Sequence, residues 1–267
     1  MTQTNDRNPK ISVIIPIYNG EDFIKECLDS VCDQSMRDLE IIVVNDGCTD
    51  DSMKIVRSYA VKDPRITVCE HERNLGLFQA RITGVKASHG DYIAFVDADD
   101  TVSFDWFRML YNTAVKSGAE LTIGQFLCDY GNDAKTFYNL DPLRQSIALD
   151  GDEVFRAFIS QEGTCYSWHL VWNKLYARSL WMDALADLEA FSATHPRLVM
   201  CEDIAFSGAI WSRARKVRNF THGAFYYYNR SNRNQSTVGE FEREKTLDNI
   251  QSVVSAFHLL EMQMTKF

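Results

Sequence analysis

Positive charge is scarce in this chain. Its 28 lysines and arginines face 37 aspartates and glutamates, a formal net charge of −9. A nucleic-acid partner would need a basic stripe, so the balance argues against that class. An anionic ligand must then be met by a local device, either a metal ion or a few placed Arg and Lys side chains. Paired cysteines are missing too. The seven (27, 32, 48, 69, 128, 165 and 201) are scattered, odd in number and free of any C-x-x-C. Most fall in predicted helices or strands, where a thiol acts as a small buried hydrophobe, and this points to a reducing compartment rather than a disulfide framework or a zinc site. No apolar run is long enough to span a bilayer. The opening "MTQTNDRNPK" lacks the apolar core of a signal peptide, so the expected location is cytoplasmic. Neither G-x-x-x-x-G-K nor G-x-G-x-x-G occurs at the strand ends, and there is no internal repeat or low-complexity linker.

What is present is ordinary for a soluble domain with a real core. Of its 267 residues 45% are hydrophobic and 24% charged, enough for one large α/β domain or a domain with an appendage. From Ile11 the pattern alternates: "ISVIIP", "EIIVVN", "RITVCE" and "DYIAFVD" read as strands. The segments between them, such as "EDFIKECLDSVC" and "LGLFQARITGVKAS", carry apolar residues at helical spacing. This rhythm implies a mostly parallel sheet with helices on both faces, and such sheets bind ligands beyond the carboxyl ends of their strands. Past Phe104 the rhythm breaks. A helix and one strand, "ELTIGQFL", lead to a stretch from Cys128 to Asp150 expected as loop, then to an aromatic segment, a helix from Glu202 and the run "FYYYNRSNRNQST". From Val238 the residues Phe241, Leu247, Ile250, Val254, Phe257 and Met264 share one face of a terminal helix, which would dock on the domain or on a second subunit.

Three strand ends carry the chemistry. "DADD" (97 to 100) crowds Asp97, Asp99 and Asp100 where a strand leaves the core. Carboxylates that close repel unless something positive sits among them, and a divalent cation is the obvious candidate. A turn and a helix cap are the plain alternative. "NDGCTDD" reads as a strand-to-helix turn, with Thr49 or Asp50 as cap. Asp46 within it stands at the ligand edge, where it could accept hydrogen bonds from a base, and Tyr18 in "PIYNG" could stack on that base. Together the loops describe a site for a nucleoside diphosphate with Mg²⁺ or Mn²⁺.

"ISVIIPIYNG", "EIIVVNDGCTDDS", "NLGLFQARITGV" and "YIAFVDADD" resemble the successive blocks of the family 2 glycosyltransferases with the GT-A fold. The acidic group matches that family's D-x-D, and "CEDIAFSGAIW" its E-D block. "WNKLY" and "YYYNRSNRNQST" resemble the later half of bacterial surface-polysaccharide members. Asn45 and Cys48 depart from the Asp and Ser more usual there. The resemblance implies an α/β GT-A fold with a nucleotide-sugar half over 10–103, an acceptor half over 104–237 and a helix over 238–267. It implies that Pro16, Tyr18 and Asp46 hold the base, commonly uracil. Arg81 would approach the diphosphate or ribose, Asp97 the ribose or sugar, and Asp99 would be the direct ligand of Mn²⁺ or Mg²⁺. Asp203 would be the catalytic base with Glu202 in support, although two acids in a helix's first turn are also what the dipole alone favours. Trp168, Trp172, Asn173 and Lys174 would line the acceptor pocket or simply fill the core. Arg230, Arg233 and Ser236 would close over phosphates or stay solvated.

The implied reaction is inverting transfer of a sugar from a UDP-sugar to a hydroxyl of a saccharide or lipid-linked acceptor. Such an acceptor would bring the protein to the inner membrane face. Two other readings remain: a nucleotidyltransferase, which would need a glycine- and lysine-rich loop after strand one, and a receiver-like module, which would need an acidic pair there. "PIYNGED" supplies neither.

Overall fold

The computed structural model describes residues 8–131, 135–137, 145–160, 166–195, 202–231 and 259. The first part follows the alternation of the sequence: β1 (Ile11–Ile17), α1 (Ile24–Cys32), β2 (Leu39–Asn45), α2 (Ser52–Ala60), β3 (Ile66–Glu70), α3 (Leu77–Ala87) and β4 (Tyr92–Phe95). Strands β3, β2, β1 and β4 lie side by side in that order, all parallel. Alternate side chains feed two cores. Ile14, Ile42, Val44 and Phe95 pack under α3, while Val13, Ile15, Ile41 and Val43 meet α1 and α2 on the other face. Burial on both faces is why β1, β2 and β4 read as apolar runs, while β3 at the sheet edge is largely uncovered. Pro16 interrupts nothing: β4 pairs with β1 only as far as Ile14 and Phe95, so a residue without an N–H falls where that side of β1 is already open.

The second part extends the same sheet. It contributes β5 (Thr101–Val102), α4 (Trp106–Ser117), β6 (Leu121–Ile123), β7 (Gln125–Asp129), β8 (Lys135–Phe137), β9 (Ala148–Asp150), α5 (Glu153–Ser160), α6 (Tyr166–His169), β10 (Lys174–Ala177), α7 (Arg178–Thr194), α8 (Glu202–Trp211), β11 (Lys216–Asn219) and β12 (Phe225–Asn229). The main sheet runs β3-β2-β1-β4-β10-β6-β11-β9, with β10 and β9 antiparallel to their neighbours. A smaller sheet, β5-β12-β7-β8, stands beside it.

Several expectations change here. "ELTIGQFL" is two strands in two sheets, broken at Gly124. A Cβ at Gly124 would lie 2.2 Å from the Trp106 ring, so only glycine lets the chain cross there. The Asn173 side chain and backbone both bond the Gly124 backbone and hold the crossing. The stretch 128–150 is not all loop: β8 and β9 are short edge strands, whose few residues give no readable alternation. The segment after "DADD" starts with β5 before α4 begins. The terminal segment 238–267 lies outside the described residues except for Leu259, which is fully buried in the same core cluster as Ile14, Phe78 and Trp211.

Candidate active site

The carboxyl ends of β1, β2 and β4 meet at one edge, as the parallel register requires. Tyr18 follows β1 and is 51% exposed, an uncovered ring at the ligand edge. Behind it the turn after β2 is tightly tied. Asn45 accepts from the Cys48 N–H at 2.8 Å and donates to Glu70, its register partner on β3, at 2.5 Å. An aspartate in place of Asn45 would set two carboxylates against each other, which explains that departure from the family pattern. The Cys48 thiol accepts from the Asn19 N–H at 3.3 Å. Asp50, rather than Thr49, bonds the Ser52 N–H at the start of α2. Gly47 has φ +76° and sits so close to the Arg73–Asn74 backbone that a Cβ would approach to 2.6 Å.

Asp46 is buried at that point and holds the loop between β3 and α3. Its Oδ1 accepts from the Leu75 N–H at 2.8 Å and lies 2.7 Å from His71 Nδ1, and its Oδ2 accepts from the Gly76 N–H at 2.8 Å. His71 Nε2 meets Thr83 Oγ1 at 2.8 Å.

The resemblance brings Arg81 toward the diphosphate or ribose; the structure encloses it instead. Gly84, one turn on, lets α3 sit against Ile14, where a Cβ would come within 2.3 Å. Arg81 is therefore only 1% exposed, and its guanidinium is taken by three carboxylates. Nη2 donates to Asp97 at 2.9 Å, and Nη1 donates to Glu202 at 3.0 Å and to Asp203 at 2.8 Å. A planar fork suits this sharing better than an ammonium would. The structure thus gathers Asp97, Glu202 and Asp203 around one arginine, a grouping that the sequence did not show. Asp203 lies in the first turn of α8 and keeps 20% of its side chain exposed. Burial pushes its carboxyl up from 3.8 to about 7; Arg81 and Lys174 pull against that rise, and Glu202 and Asp97 add to it.

The turn at 97–100 closes through an Asp100 N–H to Asp97 carbonyl bond of 3.0 Å. Asp100 is buried, with Oδ2 accepting from the Tyr226 hydroxyl at 2.6 Å and Oδ1 from the Asn229 N–H at 2.8 Å. Burial raises its carboxyl well above the ordinary range, with Asp99 and Asp97 adding to the rise. The Tyr226 hydroxyl also accepts from the Asp97 N–H at 3.0 Å, so β12 pins the turn from the smaller sheet. Asp97 and Asp100 are thereby committed to protein partners, and Asp99 stays half-buried beside them. Among the described residues no group of three or more His, Cys, Asp or Glu side chains could hold a metal by itself. A hard-oxygen donor such as Asp99 suits Mg²⁺ or Mn²⁺ when ligand phosphates and water complete the shell.

Trp168 and Trp172 sit in the core. Trp168 stacks on Trp211 at 4.8 Å, and Trp172 on Tyr226 at 4.3 Å. Asn173 and Lys174 are fully buried, with Lys174 Nζ donating to the Leu170 carbonyl and to Asn173 Oδ1. Their surroundings match the packing alternative, because their ring faces and polar ends are already covered. Arg230 is exposed, with its guanidinium 5.6 Å from the Tyr228 ring. Arg233 and Ser236 lie outside the described residues. Sequence reasoning missed His71, Thr83 and Tyr226. Only strand register, with Asn45 opposite Glu70 and Tyr226 opposite Val102, brings His71 to Asp46 and Tyr226 to the acidic turn.

The edge so built has counterparts in known proteins. A family model described as Glycosyl transferase family 2 matches residues 12–177. EpsJ of Bacillus subtilis, named as an uncharacterized glycosyltransferase, is 36% identical over 86% of this chain and 63% of its own. The poly(ribitol-phosphate) beta-glucosyltransferase of Bacillus spizizenii is 28% identical over 95% of this chain and 38% of its own. The chain thus spans less than two thirds of the length of these relatives. Among solved structures, S. aureus TarS 1–349 with UDP superposes with TM-score 0.69 at 20% identity, over 95% of this chain and 65% of that one. Its complex with UDP-GlcNAc gives TM-score 0.69 at 19% identity, over 92% and 66%. The fold is therefore the one those structures share, and the chain belongs to glycosyl transferase family 2.

Proposed function

We propose that this chain is the catalytic part of an inverting glycosyltransferase that moves a sugar from a UDP-sugar to a hydroxyl of a saccharide or lipid-linked acceptor in polysaccharide synthesis. The observation that carries the reading is Asp203, a part-exposed carboxylate with a proton affinity near neutrality, in one charge cluster with Asp97 at the ligand edge. A general base works best when its pKa lies near the working pH. Asp203 takes the proton of the acceptor hydroxyl as that oxygen bonds to the anomeric carbon. The bond from that carbon to the diphosphate oxygen breaks on the opposite face, and UDP leaves with the electron pair. One displacement inverts the centre.

Tyr18 stacks on the base and Asp46 accepts its N–H. Asp99 is the residue that would hold Mn²⁺ or Mg²⁺ with the phosphates, and the ion's contribution is to neutralise charge on the departing diphosphate. The solved TarS complexes contain UDP and UDP-GlcNAc, which supports a uridine donor. A lipid-linked acceptor would be met at the cytoplasmic surface, with peripheral association; no helix among the described residues is long and apolar enough to cross a membrane.

A thermal-shift panel of UDP, GDP, ADP and CMP with Mn²⁺ tests the donor. UDP should stabilise most. Equal shifts would remove the base-reading role of Asp46, and a preference for GDP would overturn the uridine assignment.

A further inference from the structure

We propose that His71 and Thr83 set the nucleobase specificity of the donor site by fixing the carboxylate of Asp46, an inference that rests on Asp46 reading the base. The two side chains form a chain of hydrogen bonds behind Asp46: Oδ1 to His71 Nδ1 at 2.7 Å, then Nε2 to Thr83 Oγ1 at 2.8 Å. The His71 and Asp46 side chains are 8% and 4% exposed, so water does not compete freely for either end.

The chemistry fixes the proton positions. An ionised carboxylate can only accept, so Nδ1 carries the hydrogen. In the neutral ring Nε2 is then the acceptor, and the Thr83 hydroxyl donates to it, which selects that tautomer. Thr83 lies on α3, so a rigid helix sets the angle of the ring. The Leu75 and Gly76 amides approach Asp46 as well, one on each oxygen. Three donors on two oxygens fix the plane of the carboxylate. The lone-pair capacity that remains points where the fixed plane directs it.

This orientation bears on one distinction in particular. Uracil presents N3–H, a donor that an oriented carboxylate accepts, whereas cytosine presents N3 as an acceptor that the same carboxylate repels. A carboxylate free to turn would lose part of both effects. Partners one step behind a ligand-binding group commonly tune its affinity in this way. His71 and Thr83 are thus positioning residues: neither touches the base, and both act through Asp46. Were they mere packing between β3 and α3, their loss would lower stability and weaken both nucleotides alike.

The test is the ratio of UDP to CDP affinity, measured by calorimetric titration of the full chain in the presence of Mn²⁺, with thermal melts as a folding control. His71→Leu is expected to lower the ratio about 10-fold. His71→Asn, whose amide can donate from near the place of Nδ1, should keep it within about 2-fold. Thr83→Val frees the tautomer with little change of shape and should lower the ratio in the same direction as His71→Leu, while Thr83→Ser should preserve it. Thr83→Val also serves if His71→Leu fails to fold. An unchanged ratio in His71→Leu and Thr83→Val, with a lowered ratio in Asp46→Asn, overturns the proposal and leaves the base-reading role intact. A ratio indifferent to Asp46→Asn overturns both and places the failure in the base-reading role.

Discussion

Arg81 Nη1 donates to Asp203 Oδ1 at 2.8 Å, while the other arm of the same guanidinium holds Asp97 at 2.9 Å. One cation therefore joins the turn after β4 to the start of α8, two acidic groups far apart in sequence. It accounts for part of the carboxylate crowding at 97–100. It also ties the donor edge to the residue proposed as base, so a shift of either carboxylate is felt by the other through a fully buried side chain.

Removing that cation leaves Asp97, Glu202 and Asp203 facing one another with little solvent. Arg81→Met is expected to cost about 3–5 kcal/mol of stability, the usual penalty for stranding buried charge. Asp97→Asn in the Arg81→Met background should recover part of the loss, because one repelling carboxylate is gone. Urea denaturation of the parent, both single variants and the double variant measures the coupling. An additive double variant would show that the two side chains act independently.

Asp203 should show itself in pH dependence. With its carboxyl pushed up to about 7, the base is ionised only above that value, so turnover should rise as pH passes through about 7. Stability should move the other way. Between its ordinary value of 3.8 and about 7 the folded state holds the proton more tightly than the unfolded state, so this group's contribution falls as pH rises through that window. Asp100 titrates in the same sense, so the comparison must be between the parent and Asp203→Asn. Thermal melts from pH 4 to 8 should show a flatter profile in the variant, and equal slopes would mean that Asp203 is not the group that titrates.

The first four strands, their helices and the loops that end them could be read from sequence because β1, β2 and β4 are buried on both faces and α1 and α2 bury one face. The candidate residues Tyr18, Asp46 and Asp97 could be placed at the ligand edge because they follow β1, β2 and β4, and Asp203 could be placed in the first turn of a helix. Arg81 could not be placed this way. Its type suggests an anion, and only the hydrogen bonds to Asp97, Glu202 and Asp203 show that protein carboxylates satisfy it. Trp168 and Trp172 could not be assigned to pocket or core from sequence for a related reason, since an aromatic ring suits a sugar and a core equally well, and the structure buries both. The later strands are two to five residues long, and nothing short of the Gly124 crossing reveals that β6 and β7 belong to different sheets.

Tyr226 gives a test of how the smaller sheet supports the acidic turn. Tyr226→Phe removes the hydroxyl that donates to Asp100 and accepts from the Asp97 N–H, leaving two buried polar groups short of a partner. The expected cost is about 1–3 kcal/mol in chemical denaturation. UDP binding in the presence of Mn²⁺ should weaken with it, because the turn that carries Asp99 loses its anchor. Full stability in Tyr226→Phe would show that the β12 contact is dispensable.

The two acidic residues assigned to different jobs can be separated by what each variant still binds. Asp99→Asn should weaken metal-dependent binding of UDP, since an amide oxygen is a poorer ligand for a hard cation than a carboxylate. Asp203→Asn should leave that binding nearly unchanged, because the residue is proposed to act on the acceptor and Arg81 keeps its bonds to Asp97 and Glu202. Both should lose transfer. For Asp203→Asn the loss should fall on kcat, by about 10²–10⁴ as for a lost general base, with little change in donor affinity. Calorimetric titration of UDP with Mn²⁺ into each variant, beside a transfer assay, decides between the roles. If Asp203→Asn abolishes nucleotide binding or keeps full turnover, the base lies elsewhere, and Glu202, on the same arm of Arg81, is the next residue to change. If Asp99→Asn binds nucleotide and metal as tightly as the parent, the acidic turn serves the fold through Asp97 and Asp100 and holds no cation.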